Sequence, residues 1–272
     1  MQLFNIRDYG ILPDPGEIQT AALQRVIDLA AAGKGKLYFP AGIYRSGTLQ
    51  LHSDMTIELA EGAVLMASRE YADYQGNGQY NPELGEVVSF LYALDAENLT
   101  ICGKGVIDCQ GDAFAYMDRP RPILHANMDV SEMTAEQIAD AVVEFTDPRP
   151  NQLLCFQNCK NLEIWGVTVK DAPCWTIVLN KCRNSKLHGF SVRNDQRLCN
   201  SDGIHLCGCS DIEIFDCELI CGDDCVAMTG ILDESAWNDG ITVHDCRLSS
   251  RSAAVRLGHC GGKGQEYSYQ KY

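Results

Sequence analysis

The segment Lys160–Asp171, "KNLEIWGVTVKD", is a polar turn, a short alternating strand, a break at glycine and a second short strand. The same design returns in "ENLTICGKGVID" (Glu97–Asp108), "NSKLHGFSVRN" (Asn184–Asn194), "SDIEIFDCELI" (Ser210–Ile220) and "DGITVHDCRLS" (Asp239–Ser249). With Leu162, Ser185, Ile212 and Ile241 equivalent, the spacings are 23, 27 and 29 residues. That period suits a coil of three short strands whose inward side chains bury against the next coil. The period of two within strands agrees, since Leu162 and Ile164, or Ile212 and Ile214, share one face. A leucine-rich horseshoe needs a leucine and asparagine ladder, and a propeller needs longer blades with hairpins. The pattern therefore predicts an all-β fold, a right-handed parallel β-helix.

Two helical stretches interrupt the strands. Gln19–Ala32 places Ala22, Leu23, Val26, Ile27 and Leu29 at helical spacing and ends at Gly33, which suits a helix capping the open N-terminal end of the core. Thr134–Glu144 opens with Thr134 and Gln137 as a capping box and lies in an insertion that walls one end of a groove. The organisation expected is a single domain over 1–272. Within it, 1–50 form the cap and first coil, 118–151 an inserted loop with a short helix, and 263–272 an atypical tail.

A length of 272 residues with 46% hydrophobic and 22% charged residues describes an ordered chain that buries its own core. The net charge of −15, without a lysine and arginine cluster, excludes nucleic acid and an anionic membrane surface as partners. No apolar run approaches transmembrane length and the opening lacks a secretory pattern, so the expected location is cytoplasmic. The 14 cysteines recur at repeat positions. Cys207, Cys209, Cys217, Cys221 and Cys225 are the nearest zinc candidates, but a stack of buried thiols is the expectation, with neither metal nor cofactor required.

Aspartate beside glycine is ordinary turn chemistry, and Asp211 and Asp239, which open strands, are read that way. "NSDGIHL" (Asn200–Leu206) and "GDDCVAM" (Gly222–Met228) differ, because Asp223 and Asp224 form a like-charge pair that a turn does not require. Asp202 to Asp224 and His205 to Ala227 are both 22 residues, and Arg256 follows Ala227 by 29. His205, Ala227 and Arg256 are thus expected as an outward column beside the three carboxylates.

These two motifs resemble the Asn-Thr-Asp-Gly and Gly-Asp-Asp-Cys motifs of glycoside hydrolase family 28, the polygalacturonases and relatives acting on pectin. "FNIRDYGI" (Phe4–Ile11), Leu37–Ser68 and "GKGVIDCQG" (Gly103–Gly111) extend the resemblance, which runs from Met1 to Gly258. It implies inverting hydrolysis of a galacturonide or rhamnogalacturonide. Asp223 is then the general acid, Asp202 and Asp224 activate water, and Asn200, His205 and Arg256 line the substrate site. Inversion needs carboxyls about 6.5–9.5 Å apart, which one coil step of about 4.8 Å plus a sideways offset supplies. Two departures follow. The family's Ser-Gly-His-Gly is replaced by "SRSAAVRLG" (Ser250–Gly258), which puts Ser252 at the histidine and leaves His259 a poor substitute. The later Arg-x-Lys motif, which in the family contacts the substrate carboxylate, has no counterpart; Arg256 is either a groove cation or structural.

The alternation stops after Gly262, and "GHCGGKGQEYSYQKY" (Gly258–Tyr272) reads as a truncated frame. For one codon choice, a single-base deletion turns the tail into Gly-Lys-Val-Arg-Asn-Ile-His-Ile-Lys-Asn, the pattern of earlier coils. A natural short tail is the alternative. Truncation implies a weakly active or inactive form that self-associates through an uncapped C-terminal end. Two other functions fit the fold: a β-helix polysaccharide lyase, and an inactive β-helix that binds glycans.

Overall fold

The computed structural model describes residues 1–14, 16–121, 130–230 and 237–258. The repeats wind into a right-handed coil of three parallel sheets with eight, seven and seven strands. Each turn contributes one strand to each sheet, and the alignment of Ser185 with Ile212 and Ile241 is the one the sequence predicts. Inward columns fill the interior: Ile101, Ile164, Leu187 and Ile214 from the first sheet, Ile107, Val169, Val192 and Leu219 from the second, and Leu154, Ile177, Ile204 and Val226 from the third. All are buried, each worth about 1.5–3 kcal/mol relative to exposure.

The polar turn that opens each repeat has a backbone cause. Asp54, Asn98, Asn161, Asn184 and Asp211 adopt left-handed φ of 57°, 58°, 55°, 49° and 55°, a region Asn and Asp tolerate better than other side chains. Their side chains bind one another down the stack: Asn98 Nδ2 donates to Asp54 Oδ1 at 2.7 Å, Asn161 to Asn98 at 2.7 Å, and Asn184 to Asn161 at 2.6 Å. Gly240 takes the same place in the next coil with φ 63°. Asp211 is therefore a turn residue, as expected.

The capping helix runs Thr20–Ala32 and buries Leu23, Val26, Ile27 and Ala30. Leu29, one of the apolar positions at helical spacing, is 50% exposed. The buried positions follow a three-then-four spacing that selects Ala30, and Leu29 falls about 100° around the helix from it.

The insertion rises between the second and third sheets. Ala115–Arg121 pairs antiparallel with Val142–Phe145, and the helix Ala135–Asp140 lies between them. Its capping box is formed by Thr134 and Gln137, but the helix is shorter than Thr134–Glu144 because Val142 and the residues after it join the ribbon. Val143 N–H donates to Arg197 O at 3.0 Å and Arg251 Nη2 to Asp140 Oδ2 at 3.1 Å, so the ribbon leans on the coils that carry the aspartates.

Cys159, Cys182 and Cys209 stack one per coil, each thiol directed at a backbone carbonyl, Ala93, Phe156 and Leu179 respectively. Among the described residues, no group of three His, Cys, Asp or Glu side chains is arranged to hold a metal ion, and no helix is long and apolar enough to cross a membrane. Val255 and Leu257 align with Val226 and Met228 but are each 41% exposed in the last described coil. His259 and the tail 263–272 lie outside the described residues.

Candidate active site

The third sheet brings the two aspartate motifs together. Thr176 N–H donates to Asp202 O at 3.0 Å and Gly203 N–H to Asp224 O at 2.9 Å, so Asp202 and Asp224 occupy equivalent positions on adjacent coils. The glycines beside them are steric requirements. A Cβ on Gly203 would stand 2.5 Å from Cys225 O, and one on Gly222 would stand 2.1 Å from Leu198 O. Asn200 is in the left-handed region at φ 59°, and its N–H donates to Asp223 Oδ2 at 3.3 Å.

The three carboxylates sit in unlike environments. Asp224 is buried; its Oδ1 accepts from Ala253 N–H at 3.0 Å and its Oδ2 from Arg256 Nη1 at 2.9 Å. Asp202 is also buried, with Oδ2 3.4 Å from His205 Nδ1. Burial holds the Asp202 carboxyl well above the usual carboxylate range, and the charges of Asp223 and Asp224 push it the same way. Asp223 is the most accessible of the three. Desolvation and two neighbouring carboxylates thus oppose ionisation of Asp202, while Asp223 stays open to a ligand, an asymmetry that suits carboxyl groups working side by side as acid and base.

His205, Ala227 and Arg256 align in the expected register, with His205 and Ala227 buried rather than open to solvent. Their roles separate. The His205 ring is buried and stacks on Trp175 at 3.8 Å with its Nε2 2.8 Å from Thr229 Oγ1. Ala227 is buried, and Arg256 is tied to Asp224. Ser252, at the histidine position of the family motif, is exposed and donates its N–H to Ser250 Oγ at 2.7 Å.

Trp175 and Arg149 went unread in the sequence. For Trp175 a signal existed: it precedes Asp202 by 27 residues, the same offset as Ser185 to Ile212, and so lies at the aspartate level one coil earlier. Arg149 comes from the insertion, where no repeat can place it. Its Nη1 donates to Pro173 O at 2.9 Å, its Nη2 to Asn200 Oδ1 at 3.2 Å, and its guanidinium carbon lies 3.3 Å from the Phe145 ring centre. A separate cavity of about 890 Å³ near the capping helix, lined in part by Gln24, Gln50, His52 and Tyr92, opens on the same sheet.

The model of glycosyl hydrolases family 28 matches residues 33–246. Among curated proteins, the chain is 29% identical over 255 residues to an exo-poly-alpha-D-galacturonosidase of Dickeya chrysanthemi, covering 83% of this chain and 41% of that one. It is 25% identical to a probable polygalacturonase of Vitis vinifera, covering 85% and 44%. The chain thus spans less than half the length of these two relatives. Among solved structures, an exopolygalacturonase of Thermotoga maritima superposes with TM-score 0.72 at 19% identity over 94% of this chain and 66% of its own. The Yersinia enterocolitica family 28 exopolygalacturonase gives 0.69 at 22% identity over 95% and 49%. At that identity the likeness establishes the fold, and with the family model matching most of its length, the chain belongs to glycosyl hydrolase family 28.

Proposed function

We propose that the chain hydrolyses glycosidic bonds of a pectin-type polysaccharide, a galacturonide or rhamnogalacturonide, with inversion at the anomeric carbon. The observation that carries this reading is the stacking of Asp202 over Asp224 with Asp223 beside them, more accessible than either. Asp223 protonates the leaving oxygen. Asp202 and Asp224 take the proton of a water attacking from the opposite face, so the bond to the leaving sugar breaks as the bond to water forms. Arg256 supplies Asp224 with a counter-charge at 2.9 Å, and burial raises the proton affinity of Asp202, which suits it to take up the proton of the water. The insertion ribbon beside these coils favours exo action, since a wall across the groove limits binding to chain ends. Stacked thiols at Cys159, Cys182 and Cys209 suit a reducing compartment, in keeping with a cytoplasmic location.

The test is incubation with polygalacturonate and with rhamnogalacturonan, following reducing ends, product length and the absorbance of unsaturated products. Hydrolysis gives reducing ends without that absorbance; an absorbance rise assigns a lyase, and binding without turnover assigns a glycan-binding protein. The variant Asp223→Asn is expected to lose about 10²- to 10⁴-fold in turnover with the fold intact. Unchanged turnover in that variant removes Asp223 from the role.

A further inference from the structure

We propose that Arg149, carried by the insertion rather than by a coil, is the cation that recognises a carboxylate of the sugar chain next to the cleaved bond. The inference rests on the uronide reading above and adds a specificity-determining residue to it.

A chain with a net charge of −15 must meet an anionic sugar with a local cation. Three arginines near the aspartate coils are each committed to a carboxylate. Arg256 binds Asp224 at 2.9 Å, Arg197 binds Asp195 at 2.6 Å, and Arg251 binds Asp140 at 3.1 Å. Arg149 is different: its partners among the described residues are all neutral, a carbonyl, an amide oxygen and an aromatic face. Those contacts fix the plane of the guanidinium without neutralising its charge, and they use two of its five N–H donors. The side chain is only partly buried, so a ligand in the groove can reach it.

Its position ties it to the chemistry. Arg149 donates to the side chain of Asn200, and the N–H of that same Asn200 donates to Asp223. One residue therefore separates the guanidinium from the proposed acid. Arg256 cannot serve as well, because turning it toward substrate would strip Asp224 of its buried counter-charge. A planar fork held at fixed tilt matches a carboxylate through two parallel bonds, which a methyl ester cannot accept as a charged pair.

Binding in the Asp223→Asn background tests this without relying on turnover. By calorimetry, that parent is expected to bind oligogalacturonate more tightly than the fully methyl-esterified oligomer. Adding Arg149→Gln should weaken the free acid by about 10- to 100-fold and leave the ester little changed, so that the discrimination collapses. Arg149→Lys, which keeps charge without the fork, should fall between them and serves if the glutamine variant does not fold. Undiminished affinity for the acid, or equal weakening of acid and ester, overturns the inference, the latter because it marks Arg149 as a stitch between insertion and coil. Failure of the parent to prefer the acid also overturns it. Preferential binding of the acid combined with an unsubstituted chain that does not hydrolyse it overturns the proposed reaction alone.

Discussion

The turn column Asp54–Asn98–Asn161–Asn184–Asp211 and the carboxylates Asp202, Asp223 and Asp224 draw on the same residue types, and the fold uses them in opposite ways. In the turn column the backbone sets the residue: left-handed φ favours Asn and Asp, the side chains from Asp54 to Asn184 bind each other, and Asp211 faces solvent. In the trio, carboxylate is packed beside carboxylate and supported by one arginine, two backbone N–H groups and a histidine contact. Folding alone gives no reason for such an arrangement, since desolvation and like-charge repulsion both oppose it. An aspartate is thus structural or chemical according to whether its surroundings satisfy its charge or confine it.

The largest contrast should appear in turnover. Asp211→Asn, set beside Asp223→Asn in the same assay, should leave hydrolysis within about twofold, because the substitution stays at an exposed turn. A comparable loss in both would erase the distinction. Next in size is Arg256→Ala, which leaves Asp224 buried with only the Ala253 N–H. We expect a stability loss of about 1–3 kcal/mol, limited because the arginine side chain is 41% exposed, together with reduced turnover. Chemical denaturation reads the first and reducing-end release the second; a neutral result in both would detach Arg256 from the trio. Smallest is a pair in the turn column. Asn161→Ala must hold a left-handed φ without the ladder bonds and should cost about 1–2 kcal/mol, whereas Asn161→Gly should recover much of that loss. Equal losses in the two variants would mean that side-chain bonding rather than backbone conformation selects asparagine there.

Much of this was legible from periodicity. The offsets between Leu162, Ser185, Ile212 and Ile241 fix the stacking register, and the same arithmetic correctly aligned Asp202 with Asp224 and His205 with Ala227 and Arg256. What escaped does not repeat. Arg149 approaches the site from the insertion, where only folding brings distant segments together. The exposure of Leu29 is not written in helical spacing either, because spacing alone does not tell which side of a short helix meets the first coil. For Arg256 the structure adds a contact that no spacing encodes, its ion pair with Asp224.

The most direct test of the contrast is the stability of Asp202→Asn as a function of pH. The folded-state proton affinity of Asp202 is raised above that of the unfolded chain, so the stability it contributes is complete below the ordinary carboxylate range and is lost as pH rises through the raised value. Asparagine has no such loss. Melting temperatures measured from pH 4 upward should therefore show the variant gaining on the unsubstituted protein as pH rises, while its turnover falls sharply. A difference that does not change with pH, or a variant that loses ground as pH rises and still turns over substrate, would contradict the claim that this carboxylate is held against its own stability for chemistry.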